Sequence, residues 1–109
     1  LRERKGCMTL TENLFLESGA SDAQLRVMTR SHQSDTRVLE ALSRGELSYG
    51  DAANIRRALQ KLKDDTFKAM GDAAKASHEE SRSRHQQLLS EFESKETEIL
   101  ASKSLAFGQ

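Results

Sequence analysis

Histidine and cysteine are the residue types in this chain that most often hold metal ions, and the sequence offers three histidines and one cysteine. His78 and His85 are seven residues apart, so on a helix they would project from a similar side. A zinc ion needs ligands that converge at about 2 Å, and two residues separated by two helical turns converge only if another chain contributes. The single cysteine, Cys7, excludes an internal disulfide and a cysteine-rich zinc site. We therefore expect no metal site and no cofactor.

The spacing of the serine, histidine, aspartate and cysteine residues recommends no nucleophile with an adjacent base. Gly71 is isolated, and the sequence has no glycine-rich loop that could cradle a phosphate. We therefore predict no catalytic residues and a protein that is not an enzyme. No stretch approaches the roughly 18 apolar residues of a spanning helix, and a lone cysteine fits a reducing compartment, so we expect a soluble, cytoplasmic protein without membrane insertion.

Two rows of basic residues have a spacing that could bring them to the phosphates of a nucleic acid. Arg26 and Arg57 each begin a row whose further members follow at offsets of 4, 11 and 18 residues, which places each row on one side of a helix. The anion-binding candidates are Arg26, Arg30, Arg37, Arg44, Arg57, Lys61, Lys68 and Lys75. Basic and acidic residues balance at 17 each, and neither a base-reading motif nor an aromatic stacking platform accompanies the rows. A solvated basic face is therefore the favoured interpretation.

The elements that position these groups are predicted to be helices, because the chain contains no proline and its glycines fall mostly where helices could end. Within residues 1–20, a capping box that begins at Thr9 predicts a short helix of about two turns that stops at Gly19. Residues 21–76 are expected to form an antiparallel helical hairpin, and residues 77–109 a C-terminal helical arm.

The first helix of the hairpin is predicted over roughly 22–44, with Gly45 just past its end, where a left-handed residue is common. Ser48, followed three residues later by Asp51, predicts the start of the second helix. On each helix the larger apolar residues share one face at 100° per residue, and these faces should meet. The predicted hairpin core is Leu25, Met28, Leu39, Leu42, Ile55, Leu59, Leu62 and Met70.

His32 and Asp35 interrupt the apolar face of the 22–44 helix, where an unpaired charge is costly. One interpretation is that the hairpin gapes there and water reaches both side chains. The other is a buried ion pair, or a pH-sensitive contact, that fixes the register with a partner helix.

The apolar stripe of the second hairpin helix fades between Ala74 and Gln87 and then returns, and nothing in 77–87 breaks a helix outright. Because a turn with neither glycine nor proline is unusual, we favour one continuous helix of about 55 residues and about 80 Å. The alternative is a bend near 77–83, which gives three helices of similar length. The predicted fold class is all-α: an antiparallel hairpin with a long, coiled-coil-like C-terminal helix, or else a compact three- or four-helix bundle.

A continuous last helix would leave its second half without an intramolecular partner, so another chain would have to cover the apolar residues there. These interface candidates are Leu88, Leu89, Phe92, Ile99 and Leu100, whereas Glu91, Glu93, Glu96 and Glu98 keep the remaining faces soluble. The other interpretation of this stripe is an ordinary bundle core. We predict a non-enzymatic interaction or assembly module that forms a homo-oligomer or docks onto a larger protein complex. The alternative function is an accessory nucleic-acid-binding protein that uses the two basic rows.

Overall fold

The structure, a computed structural model, describes residues 20–105 of the chain. These residues form three α-helices, which we number α1 (Ala20–Ser43), α2 (Tyr49–Ala73) and α3 (His78–Ala101). The prediction of an all-α fold is confirmed, and the part of the chain that is described contains no strand. The short helix predicted between Thr9 and Gly19 lies outside the described residues.

The turn between α1 and α2 has the capping signals that the sequence predicts. Gly45 has a φ of +76°, and its N–H donates to the carbonyl of Leu42 (3.1 Å) while Glu46 N–H donates to that of Ala41 (2.8 Å). This pair of bonds is a Schellman motif, which satisfies carbonyls that the end of α1 would leave unpaired. Ser48 Oγ then accepts from Asp51 N–H at 3.0 Å and begins α2.

The prediction of one continuous helix after residue 48 is wrong, because the chain reverses at residues 74–77. Ala74 N–H still bonds to the Met70 carbonyl (3.0 Å), but Ser77 is extended (φ −62°, ψ 158°) and caps a new helix. Ser77 Oγ accepts from Glu80 N–H at 3.3 Å and donates to Glu80 Oε1 at 2.9 Å. The spacing Ser77-x-x-Glu80 is the usual pattern of a capping-box N-terminus, and it marks the turn although no glycine or proline is present.

All three helices contact one another, so they form a closed bundle in which α2 runs antiparallel to α1 and α3. One apolar cluster joins the C-terminal ends of α1 and α3 to the start of α2, through residues such as Val38, Ile55 and Leu100. A second cluster joins the opposite ends of the helices, through Val27, Met70 and others. The hairpin and the C-terminal arm that we predicted as separate segments therefore share their core.

The apolar side chains of α3 pack inside the chain, which corrects their assignment as an interface with another chain. Leu88, Leu89 and Phe92 are buried in the second cluster and Leu100 in the first, where Ile99 is partly buried. Once α3 folds back, α1 and α2 cover these side chains. The compact bundle that the sequence left as an alternative is the arrangement observed.

The buried face of α1 is also different from the predicted one. Leu25, Met28 and Leu39 are exposed, so their assignment to the hairpin core is wrong, while Leu42 is partly buried. The residues of α1 that face the core are Ala23, Val27, Ser34, Val38 and Ala41. These side chains are small, and a helix that contacts two neighbours at once packs most closely through small residues. On α2, by contrast, Ile55, Leu59 and Met70 are buried and Leu62 is partly buried.

Removal of the Ser77 cap should weaken the bundle, because the start of α3 would lose the acceptor for Glu80 N–H. We expect Ser77→Ala to lower the free energy of unfolding by about 1 kcal/mol. Ser90→Ala is the matched control, since Ser90 is exposed in the interior of α3 and its change should stay within about 0.5 kcal/mol. Urea denaturation followed by far-UV circular dichroism measures both, and equal effects would contradict the role of Ser77.

Candidate functional site

The basic rows are largely engaged in ion pairs with neighbouring acids. On α1, Arg26 and Arg30 lie beside α3 and reach its carboxylates, although the Arg26 side chain remains 64% exposed. The pairs are Arg26–Glu93 (3.1 Å), Arg30–Glu96 (3.0 Å), Arg44–Glu46 (3.0 Å), Lys61–Asp65 (2.7 Å) and Lys75–Asp72 (3.9 Å). Arg57 donates to the side chain of Asn54, while Arg37 and Lys68 form no ion pair within residues 20–105. The rows therefore present much less net positive charge than their sequence suggests.

Glu96 is a buried carboxylate between α1 and α3, where the sequence predicted a solvated glutamate. Its side chain has no exposed surface, and it accepts from Ser34 Oγ at 2.6 Å and from Arg30 Nε at 3.0 Å. Burial raises the pKa of Glu96, and the hydrogen bond from Ser34 and the charge of Arg30 offset part of that rise.

A buried carboxyl with a raised pKa is common in active sites, so Glu96 is a candidate catalytic group on that ground. Because its side chain has no exposed surface, a substrate could not reach it without opening the bundle. Its partners are the side chains of α1, and they hold α1 and α3 together. The geometry is that of a structural ion pair.

The histidines of α3 lie in different surroundings and do not form a metal site. His85 is buried, and its Nε2 lies 3.0 Å from the carbonyl oxygen of Met70, which can only accept, so Nε2 carries the proton. His78 is exposed at the first residue of α3. Within residues 20–105 no group of three or more histidine, cysteine, aspartate or glutamate residues could hold a metal ion.

A row of large apolar side chains on α1 lies at the surface instead of packing in the core. Leu25 is 61% exposed, Met28 51% and Leu39 42%. These residues belong to a series with alternating spacings of three and four, as in one side of a coiled coil. We call this series the α1 stripe; its members are Leu25, Met28, His32, Asp35, Leu39 and Leu42.

An open groove of about 490 Å³ runs beside the α1 stripe, between α1 and α2. Met28, His32 and Asp35 of the stripe line one wall, and the wall on α2 carries Leu59 together with charged and polar side chains. The residues contributed by α2 are Arg56, Arg57, Leu59, Gln60 and Lys63. The gap that the sequence suggested around His32 and Asp35 is therefore present, and it is open to the surface.

Arg56 fixes the position of Asp35 across the groove. Its Nε donates to Asp35 Oδ1 at 2.7 Å, and its terminal nitrogen donates to Oδ2 at 3.3 Å. A bidentate pair of this kind holds a carboxylate in one orientation. The centre of the α1 stripe is thus polar and ordered, while both of its ends are apolar.

Comparison of the chain with protein-family models, with curated proteins and with solved structures found no match. In addition, none of the helices formed by residues 20–105 has the length and apolar character needed to cross a membrane.

The sequence contained one signal that identifies the α1 stripe as exposed. The helix has two stripes at similar spacing, one of large residues and one of small residues that begins at Ala23 and Val27. Hydrophobicity alone favours the large residues as the core, and that choice was wrong. The polar pair His32 and Asp35 at the centre of the large stripe indicates the opposite choice, because burying both inside a hairpin is costly.

Removing one partner of the buried pair should destabilise the bundle much more than removing an exposed pair. We expect Arg30→Met to lower the free energy of unfolding by about 2–3 kcal/mol, because it leaves the Glu96 carboxylate buried without its countercharge. Arg26→Met is the control, since Arg26 pairs with Glu93 at the surface, and its effect should stay below about 1 kcal/mol. Adding Glu96→Gln to Arg30→Met should recover most of the loss. Equal effects of the two arginine variants in denaturant titrations would contradict the structural role of Glu96.

The raised pKa of Glu96 also predicts how stability changes with pH. A carboxyl whose pKa is higher in the folded state contributes its full stabilisation below the unfolded pKa, here 4.5, and loses it as pH rises through the folded pKa. We therefore expect the wild type to lose stability relative to Glu96→Gln as the pH rises above 4.5 and through the raised pKa of Glu96. The free energy of unfolding of both proteins is measured by chemical denaturation at several pH values. The contributions of the other titrating groups cancel when one value is subtracted from the other. A difference that is constant, or that changes in the other direction, contradicts this prediction.

Proposed function

We propose that this chain is a non-enzymatic helical interaction or assembly module that binds another helix along the α1 stripe. The observation that carries the proposal is the exposure of Leu25, Met28 and Leu39 on a bundle whose core is already completed by other residues of α1. The partner surface is therefore α1, in place of the α3 side chains that the sequence suggested.

Single exposed apolar residues are common on soluble domains and need no explanation. The α1 stripe differs because its large residues share one side of a 24-residue helix at coiled-coil spacing. A second helix could contact all of them at once, since side chains at this spacing interdigitate with those of a facing helix.

The expected strength of the contact is modest. Covering the three half-exposed side chains contributes about 3 kcal/mol in total, which is less than the entropic cost of association, so the apolar side chains of the partner must contribute a comparable amount. The groove beside the stripe adds contact area, because a partner side chain can enter between α1 and α2. These magnitudes support a reversible interaction rather than an obligate one.

The nucleic-acid-binding alternative has less support from the geometry. Five of the eight basic candidates are paired with carboxylates, which reduces the positive charge that a phosphate backbone would meet. No separate observation favours this second function.

Site-specific photo-crosslinking in the source cells tests the proposal. A photoreactive amino acid in place of Met28 should crosslink to another chain, because this position faces the partner. The same amino acid in place of Gln33, which is exposed on the other side of α1, is the control and should crosslink weakly. The Met28 product should disappear when Leu39→Asp is added. The absence of any product from position 28, or equal products from both positions, would contradict the proposed function.

A further inference from the structure

The α1 stripe has the same character when it is read from either end. Two apolar residues, Leu25 and Met28, precede the polar centre, and two more, Leu39 and Leu42, follow it. The spacings are symmetrical as well, because steps of three, four, three, four and three residues separate successive members. An isologous contact between identical subunits requires a patch that is complementary to itself, and this order of residues gives such a patch when two copies of α1 run antiparallel.

We infer that the partner of the α1 stripe is a second copy of this chain, bound antiparallel about a two-fold axis that passes between residues 33 and 34. This inference rests on the proposed function and names its partner. In this arrangement Leu25 faces Leu42 of the second copy, and Met28 faces Leu39 of the second copy. Both apolar ends of the stripe are then covered by apolar residues.

The polar centre selects this arrangement. His32 lies opposite Asp35 of the second copy, and symmetry forms the same pair twice. An imidazole N–H donates to a carboxylate oxygen, and the carboxylate of Asp35 keeps acceptor sites in addition to those that Arg56 uses. The charged groups that face His32 in the groove are Asp35, Arg56, Arg57 and Lys63.

A parallel dimer through the same stripe is disfavoured by the same residues. Parallel helices place like positions together, so Asp35 would face Asp35 of the second copy and His32 would face His32. The two Asp35 carboxylates would then meet without gaining a donor, whereas the antiparallel arrangement gives each of them a histidine N–H. The central pair therefore opposes the parallel orientation and supports the antiparallel one.

The length of the stripe fits a weak dimer. From Leu25 to Leu42 it extends for about 26 Å along α1, and a two-helix contact of that length falls at the low end of the area of specific interfaces. The dimer is accordingly expected to form and dissociate with protein concentration. The closed bundle does not depend on the dimer, because the fully buried side chains of α1, such as Val27 and Val38, are not members of the α1 stripe.

Sedimentation equilibrium of the full chain over a wide concentration range gives the first test. We expect the average mass to rise from that of one chain to that of two. Leu25→Glu combined with Leu39→Glu should raise the dissociation constant by at least about a hundredfold, because each change acts twice in a symmetrical dimer. Gln33→Glu, at an exposed position outside the stripe, should leave the dissociation constant unchanged. Circular dichroism of all variants checks that the helices are retained.

The register is tested by disulfide formation in a Cys7→Ser background. His32→Cys and Asp35→Cys chains are mixed and oxidised, and the mixed disulfide should exceed the yield of random pairing. If disulfides between two His32→Cys chains and between two Asp35→Cys chains form in excess instead, the contact is parallel and the inferred arrangement is overturned.

The remaining outcomes separate this inference from the proposed function. A chain that stays monomeric at all concentrations while position 28 crosslinks to a different protein overturns the dimer and supports the function. A monomer whose position 28 crosslinks to no other chain, or only to residues 1–19 of its own chain, overturns both.

Discussion

The reversal of the chain at residues 74–77 is the constraint on which the rest of this structure depends. It folds α3 back along the hairpin, so that Leu88, Phe92 and Leu100 are covered within one chain. With α3 in place, α1 contacts two helices and directs its small side chains toward both. The large residues of α1 therefore lie at the edge of the contact with α2. The surface that we propose as functional is exposed because other residues of α1 fill the core.

Much of the architecture could be predicted from local signals, because those signals act through bonds between near neighbours. Gly45 and Ser48 mark their turn through a positive φ and a side-chain cap, which any helix end of that sequence would need. Ser77 and Glu80 mark the second turn in the same way, and the favoured long helix was wrong because this cap begins a new helix without any glycine or proline. Helix ends are decided by which groups satisfy the backbone, and breaking residues are only one way to end a helix.

The candidate site was harder to predict, because it depends on which face of α1 is buried. Periodicity places Leu25 and Met28 together but does not say whether they point inward. That choice depends on α3, which supplies a second neighbour and favours the stripe containing Val27 and Val38. The burial of Glu96 was not predicted for a related reason: it is tolerated because Ser34 and Arg30, on a helix far away in sequence, both donate to the carboxylate. Such partners cannot be identified from the spacing within one helix.

The up-down-up order of the helices has a mechanical consequence. Because α1 and α3 run in the same direction, the chain enters the bundle at one end and leaves it at the other. A force applied to the two ends of the described segment would act along the helix axes and slide α1 past α3. That motion would have to break the Arg26–Glu93 and Arg30–Glu96 contacts together with both apolar clusters, rather than separate them one after another. The bundle should therefore resist stretching more strongly than a hairpin of the same helices pulled apart from its open end.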